Sequence, residues 1–412
     1  MNGKILLSAA ALAASACAAS AAGYQIIEQG AANLGAGMAG ASANAGNDAS
    51  TAFWNPSAAV SMDLQAGETR VDSAVFAVIP KLCLAIDPNS SAPTPFGGNF
   101  DGNCATNSIV PQFFLVHRFS EDVYGTLSIT APWGLESDYA GDWIGNTSAL
   151  RSYLFTADFN PSIVYKVNDW LSVSGGVSAQ FAYCTLSQIL PVFFPGQKFD
   201  MTGQDWSIGG NVGFTIKYAE DGRIGFQWRS AVEHTLDGNA HLNGSTILAP
   251  ISADMHMPHV FTVGAYQRLR GDFREFAVMA EYAYTMWSAF DNLTVNGLPF
   301  AVRVEEDWKD TSRISLGFHY YPDYIENLTL RLGSCFDESP VKSPQHRTER
   351  IPCADRVWLS TGVGYTYGNI SIDLAYTYIF VIGNTDIDTM PNVKGEYFAH
   401  IHVIGLQLGL KF

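Results

Sequence analysis

Charge is what this sequence has least of. Only 15% of its 412 residues are Asp, Glu, Lys or Arg, against about 25% in ordinary soluble domains. Basic residues are scarcer still, 23 against 39 acidic, and the formal net charge is −16. That balance excludes nucleic acid as a partner, because such binding depends on Lys and Arg neutralising phosphates. Long apolar runs are missing too. After Gly23 every hydrophobic stretch is broken by Asp, Arg, Gln, Asn or Gly, well short of the roughly 20 residues that a membrane-spanning helix needs. Catalytic signatures are also lacking: no G-x-S-x-G occurs, and no Ser/His/acid set falls at a meaningful spacing. No enzymatic step, cofactor or metal is expected. His400 and His402 share one strand face, but no third ligand accompanies them.

The first residues carry an export pattern: basic Lys4, an apolar run from Ile5 to Cys17, then the small residues Ser20-Ala21-Ala22. Residues 1–22 are read as a signal peptide cleaved before Gly23. Cys17 could mark a lipoprotein, but Ala14 stands where a large aliphatic residue is expected. Removal of Lys4 leaves a net charge of −17. Five cysteines remain. Cys83 and Cys104 are placed in one loop and Cys335 and Cys353 in another, two candidate local disulfides for an oxidising compartment. Cys184 stands alone in a strand. Intervals of 20 and 17 residues without C-x-x-C argue against zinc.

An exported chain that is 47% hydrophobic and 13% aromatic must place that apolar surface somewhere. A lipid-facing barrel and a large soluble β-sandwich are the two candidates, and periodicity separates them. At the C-terminus Ile404, Leu406, Leu408, Leu410 and Phe412 alternate strictly with Gly405, Gln407, Gly409 and Lys411. One face suits lipid and the other a lumen. The same alternation marks fourteen candidate strands near 66–80, 108–118, 123–135, 150–167, 171–189, 204–218, 223–236, 255–270, 273–288, 310–321, 327–338, 355–367, 370–383 and 396–412. Six short turns, such as Asn168-Asp169 and Gly368-Asn369, alternate with seven longer loops, which puts both termini on one side. An open edge in hydrocarbon would leave backbone groups unpaired at several kcal/mol each, so the sheet must close. The expected fold is all-β, a transmembrane antiparallel β-barrel of about 14 strands spanning residues 66–412. Tyr124, Trp170, Tyr218, Tyr320 and Tyr321 near strand ends are candidate interface anchors. Arg313 and Arg356 are read as lumen-side members of wall networks.

Residues 23–65 break the alternation. They hold Gly35, Gly37, Gly40 and Gly46 among many Ala, Ser and Asn, followed by Phe53-Trp54-Asn55-Pro56-Ser57. Small residues can pack inside a narrow lumen, and a barrel of this size left empty would be an open channel. The segment is read as a hatch within the lumen, with a disordered arm as the bland alternative.

Several motifs in order resemble one family, the FadL-type outer-membrane transporters of long-chain fatty acids and other hydrophobic compounds. They are Gly23-Tyr24-Gln25, Leu34-Gly35, Ala39-Gly40, Asn55-Pro56-Ser57 (where the family has Asn-Pro-Ala), Asp158-Phe159-Asn160-Pro161-Ser162, Asp205-Trp206-Ser207, Trp228-Arg229-Ser230, Asp307-Trp308-Lys309-Asp310-Thr311 and Phe336-Asp337-Glu338-Ser339-Pro340. The resemblance covers nearly all of the chain after Gly23. It implies a barrel in the bacterial outer membrane, gated by a hatch around Trp54, Asn55, Pro56 and Ser57, with passive diffusion and no enzymatic step. The ligand would leave sideways where the third strand kinks, here at Pro132 and Gly134, residue types that suit a bulge. Lys309 matches a lysine that faces the ligand head group, or else pairs with Asp307 or Asp310. A second family cation aligns with Gln188, a departure that leaves room for a less charged ligand. Implied partners are a long-chain fatty acid or other hydrophobic small molecule, outer-membrane lipid and lipopolysaccharide, and the barrel-assembly machinery; a monomer is expected. The competing readings are uptake of aromatic hydrocarbons or other xenobiotics, an outer-membrane lipase, and a structural or adhesin barrel.

Overall fold

The computed structural model describes residues 23–87, 90, 98–192, 194–244, 246–298, 302–389 and 393–412. The proposed leader, 1–22, lies outside the described residues. One sheet contains every strand among them: β1 (Thr69–Ile86), β2 (Ser108–Arg118), β3 (Val123–Thr130), β4 (Gly134–Asp138), β5 (Arg151–Lys166), β6 (Leu171–Ile189), β7 (Lys198–Ala219), β8 (Gly222–Arg229), β9 (Val232–Leu242), β10 (Thr246–Met257) and β11 (Val260–Arg268). It continues with β12 (Phe276–Thr285), β13 (Asn292–Asn296), β14 (Val302–Glu305), β15 (Thr311–Tyr320), β16 (Leu328–Asp337), β17 (Arg356–Tyr367), β18 (Ile370–Val381), β19 (Asp386–Asp388) and β20 (Lys394–Lys411).

Every pairing is antiparallel, and β1 pairs with β20 from Arg70↔Lys411 to Ile86↔Gly395, which closes the cylinder. Several segments are pieces of one wall strand: β3 with β4, β8 with β9, β10 with β11, β12 with β13, β14 with β15, and β18 with β19. Counted so, the wall is a closed barrel of 14 strands. Three of the interruptions are short, at 131–133, 230–231 and 258–259, and two of those carry a proline.

The alternation at the C-terminus has the expected outcome. Ile404, Leu406, Leu408 and Leu410 face outward, while Gln407 is fully buried inside. Outward apolar residues recur around the wall, including Ile314, Leu316, Phe318, Leu332, Ile372 and Leu374. A band of this kind is stable only against lipid. Of the suggested anchors, Trp170 and Tyr218 point outward. Tyr124 turns inward instead, and Tyr321 shares a hydroxyl hydrogen bond of 3.1 Å with lumen-side Tyr266.

Residues 23–64 run inside this wall. They form short helices, α1 (Ala31–Gly35) and α2 (Thr51–Trp54), and two 3₁₀ turns, Ala41–Ala43 and Pro56–Ser61. Nearly all of these residues are buried. Small side chains on both partners make the fit possible: a Cβ on Gly333 of β16 would overlap the Ala36 carbonyl, and one on Gly225 of β8 would overlap the carbonyl of Ser42.

Candidate functional site

One interruption of the wall among the described residues lies between β2 and β3. β2 pairs with β3 only from Phe113↔Ile129 to Arg118↔Tyr124, so residues 108–112 have no strand partner on that side. Hydrogen-bond direction explains why. The Phe119 N–H donates to Val123 (2.9 Å) and the Arg118 N–H to Glu68 (3.0 Å), so odd residues of β2 face β3 and even ones face β1. Pro111 therefore faces β3, where the next partner in register would be Ala131, and it has no N–H to give. Sequence reasoning missed Pro111; the available signal was a proline inside a continuous strand pattern.

Pro132 sits within a bulge of the kinked strand, its carbonyl turned away from β5. Lys166 N–H donates to the Asp122 carbonyl (2.8 Å), so even residues of β3 face β5. The β3–β5 register stops at Thr130↔Asp158 and β4–β5 resumes at Gly134↔Phe155. Three residues, 131–133, thus oppose two, a one-residue bulge. Thr156 closes it, its hydroxyl donating to the Trp133 carbonyl (2.7 Å) and accepting the Trp133 N–H (3.0 Å).

The chain's own start stands in the opening. The Ile26 N–H donates to the Pro132 carbonyl (2.8 Å), and the Gly134 N–H donates to the Tyr24 carbonyl (2.8 Å). Gln25 and Trp133 form an isolated antiparallel bridge between these two bonds. Tyr24–Ile26 replace β2 as partner of the kinked strand.

Two narrow cavities flank this stopper. The outer one, about 30 Å³, is walled by Tyr24, Leu135, Leu154, Met255, Phe290, Leu293 and Ile351, with Glu306 and Arg350 at its rim. Tyr24 packs edge-on against Trp287 (4.7 Å) and Phe290 (5.4 Å) there. The inner one, about 40 Å³, is lined by Gln25, Ile26, Phe53, Trp54, Pro132, Trp133 and Val260, and by the polar groups Asp158, Gln180, Arg229 and Arg313. Each has room for only a few waters, so a long acyl chain enters only if the lining moves. Above the outer cavity an open vestibule of about 970 Å³ lies between the loops and shares Arg350 with it.

Arg350 is buried, and its guanidinium donates to the Ser148 carbonyl (2.6 Å), Gln188 Oε1 (2.9 Å) and Ser152 Oγ (3.3 Å), all neutral acceptors. Beside it, Glu306 accepts from Trp308 Nε1 (3.1 Å) and Thr348 Oγ1 (3.2 Å). Burial pushes the Glu306 carboxyl up to about 8, so it stays protonated at neutral pH and adds no opposing charge.

The hatch is fastened by polar groups. Asn55 Nδ2 donates to the Ser42 carbonyl (2.7 Å) and to Thr215 Oγ1 of β7 (3.1 Å), and its Oδ1 accepts from Ser57 Oγ (2.7 Å). Pro56 opens the 3₁₀ turn that Asn55 caps. Trp54 Nε1 donates to the Gln29 carbonyl (2.7 Å). To the wall, Ala31 N–H donates to Gln407 Oε1 (2.7 Å), Ser42 N–H to Glu281 (2.9 Å) and Ala49 N–H to Asp72 (2.8 Å). A lumen lined with acceptors holds a chain end rich in exposed N–H groups.

Other expectations fare differently. Gln188 lines the vestibule as Arg350's partner. Lys309 pairs with neither Asp307 nor Asp310: its Nζ is 2.6 Å from Glu338 Oε1, and it lines none of the cavities described above. Asp307 is taken by Lys342 (2.6 Å), and Asp310 accepts from Tyr284 (2.8 Å). Neither cysteine pair is bonded, and all five described cysteines are free. Cys83 and Cys335 lie in strands rather than loops; Cys83 is exposed while Cys104 is buried among Leu84, Tyr139 and Trp143. Cys335 faces the hatch, whereas Cys353 accepts from Ser339 Oγ (3.2 Å) and Arg356 (3.0 Å). Arg313, read as part of a wall network, has Nε and Nη1 without a hydrogen-bond partner among the described residues and acts on Glu281 through space. His400 and His402 sit 5.7 Å apart, and His402 bonds to the Tyr376 hydroxyl (2.8 Å). Among the described residues no group of three or more His, Cys, Asp or Glu is placed to hold a metal.

A closed lipid-facing cylinder, stoppered from within and interrupted in its wall, defines an outer-membrane channel for hydrophobic compounds. The chain belongs to the outer membrane protein transport family (OMPP1/FadL/TodX), whose model matches residues 12–412. It is 28% identical over 428 residues to the long-chain fatty acid transport protein of Salmonella typhi, covering 92% of this chain and 93% of that one. It is also 28% identical to the 47 kDa outer membrane protein of Pasteurella multocida, covering 90% of each. Its fold is similar to the crystal structure of a Pseudomonas aeruginosa FadL homologue, with TM-score 0.81, 22% identity, and 94% of this chain and 99% of that chain covered. The Pseudomonas putida toluene transporter TodX is more distant in fold, with TM-score 0.65, 16% identity, and 95% and 99% covered.

Proposed function

We propose that this channel takes up long-chain fatty acids by passive, ligand-gated diffusion. The acid enters the vestibule, rests its carboxylate on Arg350 and presses its chain into the outer cavity. From there it leaves sideways between β2 and the kinked strand into the membrane. The observation that carries this reading is the double role of Tyr24. Its ring is a wall of the outer cavity, and its carbonyl holds the Gly134 N–H that stoppers the gap (2.8 Å). A chain that displaces the ring pulls on the stopper.

Chemistry supports the ligand class. Each buried methylene contributes about 0.8 kcal/mol, and a guanidinium grips a carboxylate in bidentate fashion. Arg350 supplies a cation at the place where Gln188 is neutral, reaching it from a distant loop.

The second reading is uptake of aromatic hydrocarbons, favoured by the ring cluster of Tyr24, Trp133, Trp287, Phe290 and Trp308 around the stopper. Uptake of labelled oleate and labelled toluene by cells expressing the protein, together with mass spectrometry of co-purified lipid, separates the two. Transport of toluene without oleate would sink the fatty-acid reading.

A further inference from the structure

We propose that Arg313 is a second anion subsite, in the inner cavity, which receives the ligand's carboxylate on the way to the wall gap. This rests on the fatty-acid reading. Arg313 projects from β15 and is 6% exposed. Its Nε and Nη1 have no hydrogen-bond partner among the described residues. Of the neighbouring acids, Glu281 on β12 accepts the N–H and hydroxyl of Ser42 (2.9 and 3.0 Å) and acts on Arg313 through space, and Asp337 stands opposite in register on β16. Its guanidinium lies 5.6 Å from the ring of Trp54 of the hatch.

A buried guanidinium without acceptors costs several kcal/mol unless something completes it. Arg229, the other cation in this cavity, is completed: it bonds the Phe53 carbonyl (3.3 Å) and Asp158 (3.4 Å). Arg313 alone there keeps donors free, and the cavity it lines reaches Pro132 and Trp133 at the kink. Tyr24 bounds the outer cavity while Gln25 and Ile26 bound the inner one, so the stopper separates Arg350 from Arg313. Without a second cation, a carboxylate leaving Arg350 would cross the stopper as a bare charge among aromatic rings. Arg313 shortens that crossing, and an aromatic hydrocarbon has no use for it.

The test uses full-length purified protein in proteoliposomes, with oleate and oleyl alcohol as probes that share a chain and differ in charge. Arg313→Met should slow oleate by about tenfold or more, the worth of a charged hydrogen bond, leave oleyl alcohol within about twofold, and be partly rescued in Arg313→Lys. Equal slowing of both probes would assign Arg313 to hatch packing and overturn the subsite; so would no change in either. A folding-independent check uses the unaltered wall. Hexadecanoate brominated beside its carboxylate should quench Trp54 fluorescence, read as the difference between wild type and Trp54→Phe. Absence of that quenching overturns the proposal. If wild type carries oleyl alcohol but no oleate, the fatty-acid reading fails first and takes the subsite with it.

Discussion

Replacing Pro111 with valine tests where the wall opens. The substitution returns one N–H to the edge of β2 that faces Ala131. In an antiparallel pair of that kind the two residues exchange both of their N–H···O bonds. The one bond it adds, at about 1 kcal/mol, favours the closed wall by that amount, which lowers the open population by about fivefold. Pro132→Val is the matched control. It returns a donor inside the bulge, which the Thr156 hydroxyl already bridges at 2.7 and 3.0 Å, so its effect should stay within about threefold. The assay is the initial rate of oleate uptake, normalised to folded barrel by heat-modifiable migration in gels. If Pro132→Val is the slower variant, the bulge and not the Pro111 edge controls the exit. If both import at the normal rate, lateral exit at this kink is wrong.

Removal of residues 24–57 should convert the protein into an open pore, seen as a stepwise conductance in planar bilayers; Asn55→Ala, which loses the bonds to Ser42 and Thr215, should give brief openings of the same size. Arg350→Gln should weaken oleate binding by about ten- to a hundredfold, the range for a charged hydrogen bond, and leave toluene uptake unchanged; equal loss of both ligands would mean that Arg350 only braces the loops. Glu306 gives a pH dependence. Its folded carboxyl titrates at about 8, while an unfolded one titrates near 4.3. Between those values the native state binds the extra proton, so stability falls as pH rises. Glu306→Gln should flatten that share of the fall between about pH 5 and 8, read by melting temperature; an unchanged slope would refute the assignment.

The lipid face was legible because a bilayer enforces it: at every second position from Ile404 to Leu410 the alternative is a polar group in hydrocarbon. Above the membrane that constraint lapses. Residues 198–203 of β7 and 246–254 of β10 were therefore missed as wall, and Cys83 was assigned to a loop although β1 continues to Ile86. The hatch was legible from composition, since only small residues tolerate a lumen edged by Gly225, Gly333 and Gly362. Its partners were not, because Gln407, Glu281 and Thr215 look like ordinary inward polar positions. Arg350 was invisible for a different reason. It reaches Gln188 across 162 residues of sequence, and no local pattern reports a contact of that kind. The disulfide expectation failed on geometry, since interval and compartment say nothing about which way a side chain points.

The double role of Tyr24 also sets a threshold on chain length. Displacing a buried aromatic ring forfeits about 2–3 kcal/mol of apolar burial, and releasing the Gly134 bond forfeits about 1 kcal/mol more. A ligand recovers about 0.8 kcal/mol for each methylene it buries in the vacated space. Some five methylenes therefore balance the loss, and every further one favours the open state. Saturated acids shorter than about six carbons should fail to gate the channel, uptake should climb steeply to about ten or twelve, and longer chains should gain little once the gap is open. Tyr24→Ala removes the ring to be displaced while keeping the backbone carbonyl. It should shift the rise to shorter acids by about three carbons and leave the plateau in place. A series from butanoate to hexadecanoate, measured as initial uptake rates in wild type and Tyr24→Ala, reads both effects. A flat profile in wild type, or identical profiles in the two proteins, would show that the ligand opens the wall without moving Tyr24.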